Sequence, residues 1–133
     1  MRHRLYFGIA DCFEKGLPMS FSEVCIYQVK PDKVDEFESI MNEAKPFLEK
    51  RTGLLQLHLM KRGYKIDMEQ IREGLPPVEL TRVVKCVKYV LFWEFESKED
   101  YGRAQKDLYE TFWKSIDKCL VQPHDKFLGE IMF

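Results

Sequence analysis

The chain has 133 residues, of which 45% are hydrophobic and 32% charged, with a formal net charge of −1. That length and balance describe one domain able to bury a core without metals or disulfides, and exclude a disordered chain. A charge so close to zero leaves no electrostatic footprint for nucleic acid or for an anionic membrane surface.

The first 20 residues read as an N-terminal extension of a domain covering 21–133. Their apolar run is broken by Gly8, Asp11, Glu14 and Lys15, too short and too interrupted for a signal peptide or a membrane span. Cys12, Cys25, Cys86 and Cys119 show no C-x-x-C spacing, so they read as reduced thiols of a cytoplasmic protein.

Residues 23–30, EVCIYQVK, predict the first strand. Pro31 ends it, Asp32 is placed to cap a helix, and Asp35 and Glu36 suit the first turn. Val34, Phe37, Ile40, Met41, Ala44, Phe47 and Leu48 form its apolar stripe, with Pro46 expected to kink it or shorten its last turn, and Gly53 to end it. Residues 54–61 predict the second strand. Leu55, Leu57 and Leu59 share one face and Gln56, His58 and Met60 the other.

Residues 62–82 are irregular, with a helical signal at 67–72 and a Pro76-Pro77 breaker. A third strand is predicted over 83–95, placing Tyr89, Leu91, Trp93 and Phe95 on one side and Val90 and Phe92 on the other. Ser97 and Asp100 read as a capping pair, followed by a helix with Tyr101, Ala104, Leu108, Phe112 and Ile116 on one face. A fourth strand is predicted over 126–133. The order βαββαβ predicts an α+β, ferredoxin-like fold: an antiparallel four-stranded sheet with two helices on one face. Both faces of the first and third strands are apolar, with Cys25, Tyr27 and Val29 backing onto Val24 and Ile26. Burial at about 25 cal/mol per Å² therefore favours sheet-to-sheet pairing of two copies, a homodimer closing into an α/β barrel.

Three stretches carry a family likeness: Pro31-Asp32-Lys33 with Asp35-Glu36-Phe37, Gly53 ahead of the second strand, and the run from Phe92 to Tyr101, FWEFESKEDY. On these the chain resembles the dimeric α/β-barrel superfamily, and within it the antibiotic-biosynthesis-monooxygenase (ABM)-like domains. The resemblance implies a cofactor-independent oxygenase, a haem-degrading enzyme, or one of the relatives without a known substrate. In the haem-degrading branch a Trp, a His and an Asn stand where this chain has Phe95, Gln105 and, nearest in strand one, Gln28, so haem degradation is disfavoured. The segment 62–82 is longer than the family's turn.

His58 is the candidate catalytic base, because an imidazole titrates near neutrality. Trp93, Tyr89 and Phe95 are candidates to line a flat aromatic substrate's pocket, with Tyr27 and Gln28 orienting a hydroxyl or carbonyl. The plainer reading of the same residues is a hydrogen-bonded histidine at a dimer interface and aromatics in a core. His124, between Pro123 and Asp125, reads as helix termination. His3, His58 and His124 are too scattered for a metal, and no phosphate loop or nucleophile motif occurs. Two functions stay open. One is a cofactor-free monooxygenase of a small aromatic or quinol-type substrate, requiring neither metal nor cofactor. The other is a non-catalytic ligand-binding or assembly module whose 62–82 loop meets a partner.

Overall fold

The computed structural model describes residues 19–82 and 85–133. The elements run β1 (Phe21–Val29), a 3-10 turn (Pro31–Lys33), α1 (Val34–Glu49), β2 (Leu54–Lys61), β3 (Tyr64–Lys65), α2 (Met68–Glu73), β4 (Val78–Glu79), β5 (Val87–Phe95), α3 (Lys98–Asp117) and β6 (Asp125–Glu130). Four strands form an antiparallel sheet in the order β2-β5-β1-β6, the ferredoxin-like order, and β3 pairs with β4 in a separate short ladder.

Alternation along the two central strands builds the core. The register sets Glu23 opposite Trp93, Cys25 opposite Leu91, Tyr27 opposite Tyr89 and Val29 opposite Val87. Directly opposed residues share a face, and all eight are buried. Onto this face α1 presents Phe37, Met41, Ala44 and Leu48, while α3 presents Tyr101, Ala104, Leu108 and Ile116, each set at helical spacing. The opposite face carries Val24, Ile26, Gln28, Val90 and Phe92 at the centre, all half-buried. Met60 and Phe127 flank them, 64% and 73% exposed.

Several boundaries differ from the sequence expectation, each for a pairing reason. β1 starts at Phe21 because Phe21 and Ser22 still find partners on both sides, Phe95 and Glu94 in β5 and Glu130 and Gly129 in β6. β5 begins at Val87; residues 83–84, the predicted start of that strand, lie outside the described residues, as does most of the N-terminal extension with Cys12. β6 ends at Glu130, and beyond it the Ile131 N–H donates to the Ser20 carbonyl at 3.0 Å. Asp32 does not cap α1: it sits inside the 3-10 turn, and no side chain caps that turn or the helix. Pro46 does not cut the last turn, since α1 continues to Glu49.

The predicted cap of α3, the helical turn in the insertion and the turn at Gly53 are all present. The Ser97 hydroxyl accepts from the Asp100 N–H at 3.1 Å and opens α3. In the insertion, the Asp67 side chain accepts from the Glu69 and Gln70 N–H groups to start α2, and left-handed Gly74 ends it. Gly53 turns α1 into β2 with φ of 79°, and a Cβ there would stand 2.2 Å from Asp100 Oδ2. The Glu96 N–H closes the same corner on the Gly53 carbonyl at 2.9 Å, so only glycine satisfies both the backbone angle and the contact. Cys25, Cys86 and Cys119 are free thiols. No helix among the described residues is long and apolar enough to cross a membrane.

Candidate functional site

The polar chemistry gathers on the helix-covered face beside the β1–β6 pairing. Glu23 is only 1% exposed, yet its carboxylate is well supplied with donors. The Tyr101 hydroxyl, arriving from α3, donates to Oε1. Lys126, one strand away on β6, places Nζ 3.2 Å from Oε1 and 3.1 Å from Oε2. A buried carboxylate persists only with such partners. Burial first, then the bond to Glu23, pushes the Tyr101 phenol well above its ordinary range, so it stays a donor. Cys25 lies opposite Lys126 in the register, but burial pushes its thiol up to about 11, which removes it as a thiolate nucleophile near neutrality.

Beside this cluster opens a cavity of about 250 Å³. β1 contributes Tyr27 to its wall; α3 contributes Gln105, Leu108, Tyr109, Trp113 and Ile116; the turn into β6 and the strand itself contribute His124 and Lys126. The α3 residues recur at three- and four-residue steps, which is one face of a helix. His124 follows Pro123 and packs edge-on to Trp113, centroids 4.5 Å apart, with the Tyr27 ring at 6.0 Å. Burial, and next the Lys126 charge, hold its pKa below the ordinary 6.5. The imidazole is therefore neutral at physiological pH and able to take a proton.

His124 Nδ1 and Gln105 Oε1 are buried without a hydrogen-bond partner among the described residues, as is Trp93 Nε1. Each such atom costs about 1–3 kcal/mol of desolvation, a cost that a polar group entering the cavity beside His124 and Gln105 would offset. Aromatic walls, a neutral imidazole, an amide and a cation suit a planar, hydroxylated aromatic molecule.

The structure divides the six candidates read from the sequence. Tyr27 lines the cavity. Tyr89, Trp93 and Phe95 lie on the same side of the sheet but in the core, Trp93 and Phe95 at 0% exposure. The Tyr89 hydroxyl is committed to Glu38 on α1. His58 and Gln28 point to the other side. His58 is exposed, pairs with Phe92 and stacks on it at 6.4 Å, and its Nε2 lies 3.1 Å from Gln56 Oε1. Gln28 Oε1 accepts from the Cys86 thiol at 3.6 Å. The six therefore do not line one pocket, and His58 cannot reach this one, because strand alternation turns it away. The sequence reading missed His124, Lys126 and Glu23. Their one signal was a histidine and a lysine two apart at the start of a strand.

No family model matches the chain, and no curated protein matches it. Solved structures do. A conserved protein from Methanosarcina mazei Go1 superposes with a TM-score of 0.64 at 15% identity, covering 94% of this chain and 97% of that one. A Nitrosomonas europaea protein, provisionally named an antibiotic biosynthesis monooxygenase, gives 0.61 at 11% identity over 85% of this chain and 90% of that one. SnoaB from Streptomyces nogalater, named a cofactor-independent oxygenase, gives 0.54 at 14% identity over 83% and 92%. The chain thus has the ABM-like fold; at these identities the likeness speaks for the fold alone.

Proposed function

We propose that this protein is a cofactor-independent monooxygenase acting on a small aromatic or quinol-type substrate bound between α3 and the sheet. The observation that carries the reading is the convergence of neutral His124 with Gln105 and Lys126 inside aromatic walls. The same fold in a protein named a cofactor-independent oxygenase supports the reaction class.

In this mechanism His124 takes a proton from a CH2 group activated by flanking hydroxylated rings, while Gln105 Oε1 accepts a hydrogen bond from a ring hydroxyl. Lys126 stabilises the resulting anion, whose charge spreads over the ring oxygens. The electron-rich carbanion passes one electron to O2, and the radical pair joins in a C–O bond. The peroxide takes up a proton and loses water as the remaining C–H proton leaves. One CH2 and one O2 give one C=O and one water, so atoms and electrons balance. The dry walls protect the anion from solvent protons.

The half-polar, half-apolar sheet face opposite the cavity supports a homodimer, with Val24, Ile26, Val90 and Phe92 at the centre of the contact and His58 within it. The free thiols Cys25 and Cys119 fit a reducing compartment such as the cytoplasm.

Oxygen uptake over a panel of anthrone- and quinol-type compounds tests the reading, paired with thermal shift. Uptake above the uncatalysed rate, with one water formed per O2, is expected for at least one compound that also stabilises the protein. Stabilisation without uptake would replace the enzyme by a ligand-binding module.

A further inference from the structure

We propose that the insertion between β2 and β5 builds a second site, for a small anion carrying two or more negative charges. The site lies in a cavity of about 310 Å³ at the base of the insertion, where Arg62, Arg82, Lys85 and Lys88 all contribute to the wall. Among the described residues the remainder of the wall is Leu80, Cys86 and Val87, with no carboxylate.

Backbone hydrogen bonds bring these four cations together. The Arg62 N–H donates to the Lys88 carbonyl at 2.9 Å, continuing the β2–β5 pairing past the end of β2. The Leu80 N–H donates to the Gly63 carbonyl at 2.9 Å, closing the insertion on itself. The β3–β4 ladder, with Tyr64 opposite Glu79 and Lys65 opposite Val78, holds the closure. Arg82 and Lys85, which follow β4, thus line the same wall as Lys88 and as Arg62, which precedes the insertion in the chain.

Several cations elsewhere in the protein are matched by a carboxylate. Arg51 pairs with Asp107, Lys61 with Glu38, Arg103 with Asp100 and Lys126 with Glu23. Among the described residues, none of the four cations at the insertion has an ion pair. Four like charges around one concavity repel, and an anion in their midst reverses the sign of that interaction. Two guanidinium groups add fork geometry that matches phosphoryl or carboxylate oxygens, and two ammonium groups add point charge. Leu80 and Val87 give a carbon body something to rest on. A concave wall on a chain of net charge −1 suits a small ligand better than a polyanion. The site shares no residue with the cavity under α3.

Calorimetric titration of the full chain with inorganic phosphate, pyrophosphate and citrate tests the proposal, with arms that separate phosphoryl from carboxylate ligands. Saturable one-to-one binding of at least one of them is expected. The double substitution Arg82→Gln with Lys88→Gln should weaken it by about tenfold or more, the loss expected when charge-assisted contacts are removed. Lys85→Gln, a single exposed change, should move it the same way, and His124→Ala should leave it unaltered. No saturable binding, binding indifferent to these substitutions, or binding only to heparin or an oligonucleotide overturns the site.

Discussion

His124 stands edge-on to Trp113, ring centroids 4.5 Å apart and planes at 82°. An indole from the second half of α3 thereby fixes the imidazole that follows the end of the helix. The arrangement makes Trp113 a positioning residue for His124, and it ties the cavity to the helix rather than to the central strands.

Replacing His124 by Ala should lower oxygen uptake by about a hundredfold or more, the usual scale for a lost general base. His58→Ala should leave it within about twofold, since that side chain lies across the sheet and outside the proton path. Equal losses in the two variants would contradict the assignment of the base. The acid limb of the wild-type rate profile should fall below pH 6.5, because burial and Lys126 hold the His124 pKa down.

The same depression has a sign for stability. Above the unfolded value of 6.5 the native and unfolded chains bind equal protons at this position, and the stability is fully present. As pH falls through 6.5 towards the native pKa, the unfolded chain binds more protons and stability is lost. Melting curves across that window should show a steeper loss for wild type than for His124→Gln. Identical slopes would remove the linkage.

Glu23→Ala leaves Lys126, 24% exposed at its side chain, and the Tyr101 hydroxyl without their acceptor. A loss of about 2–3 kcal/mol is expected, somewhat below the scale for a fully buried broken pair because Lys126 retains some water. Glu23→Gln should cost less, as it still accepts from Tyr101. Urea denaturation of both variants measures the difference, and equal midpoints with wild type would deny the cluster its structural weight.

Gly53→Ala combines a left-handed backbone with a Cβ 2.2 Å from Asp100 Oδ2. The φ term alone is about 1–2 kcal/mol, and displacing Asp100 adds to it. In an Asp100→Ala background the same change should cost less, because two of the three crowding atoms are gone. A double-mutant cycle reads this as coupling of about 0.5 kcal/mol or more; strict additivity would show that the contact relaxes freely.

Phe92→Glu places a charge at the centre of the helix-free face. If two copies meet there, sedimentation should show dimer for wild type and monomer for the variant at micromolar concentration, with unchanged far-ultraviolet dichroism. Wild-type monomer under those conditions counts against the pairing.

The architecture was legible because its signals are local. Tyr89, Leu91, Trp93 and Phe95 alternate without interruption, Ser97 stands where a cap belongs, and the α3 stripe keeps its period, so the order and type of the four sheet strands and two long helices could be read in sequence. The two-residue strands β3 and β4 are too short to carry a period. The site was not legible because its parts meet only through the β1–β6 register and the placement of α3. Tyr27 and His124 are remote in the chain and reach 6.0 Å only once β6 returns beside β1. His58 drew attention for its chemistry, but its place opposite Phe92 depends on a register that composition does not reveal. His124, flanked by Pro123 and Asp125, looked like punctuation.

Among the described residues β6 borders the sheet and is bonded to β1 alone. Such an outer strand opens more often than a central one, and here it supplies Lys126 while His124 sits at its threshold. Amide exchange at Asp125–Glu130 should therefore slow when a guest fills the cavity, with little change in β5. A guest that bridged Lys126 on this strand to Tyr27 on β1 would therefore tighten the seam it lies against, and its grip and the hold of one border strand on its neighbour would rise together.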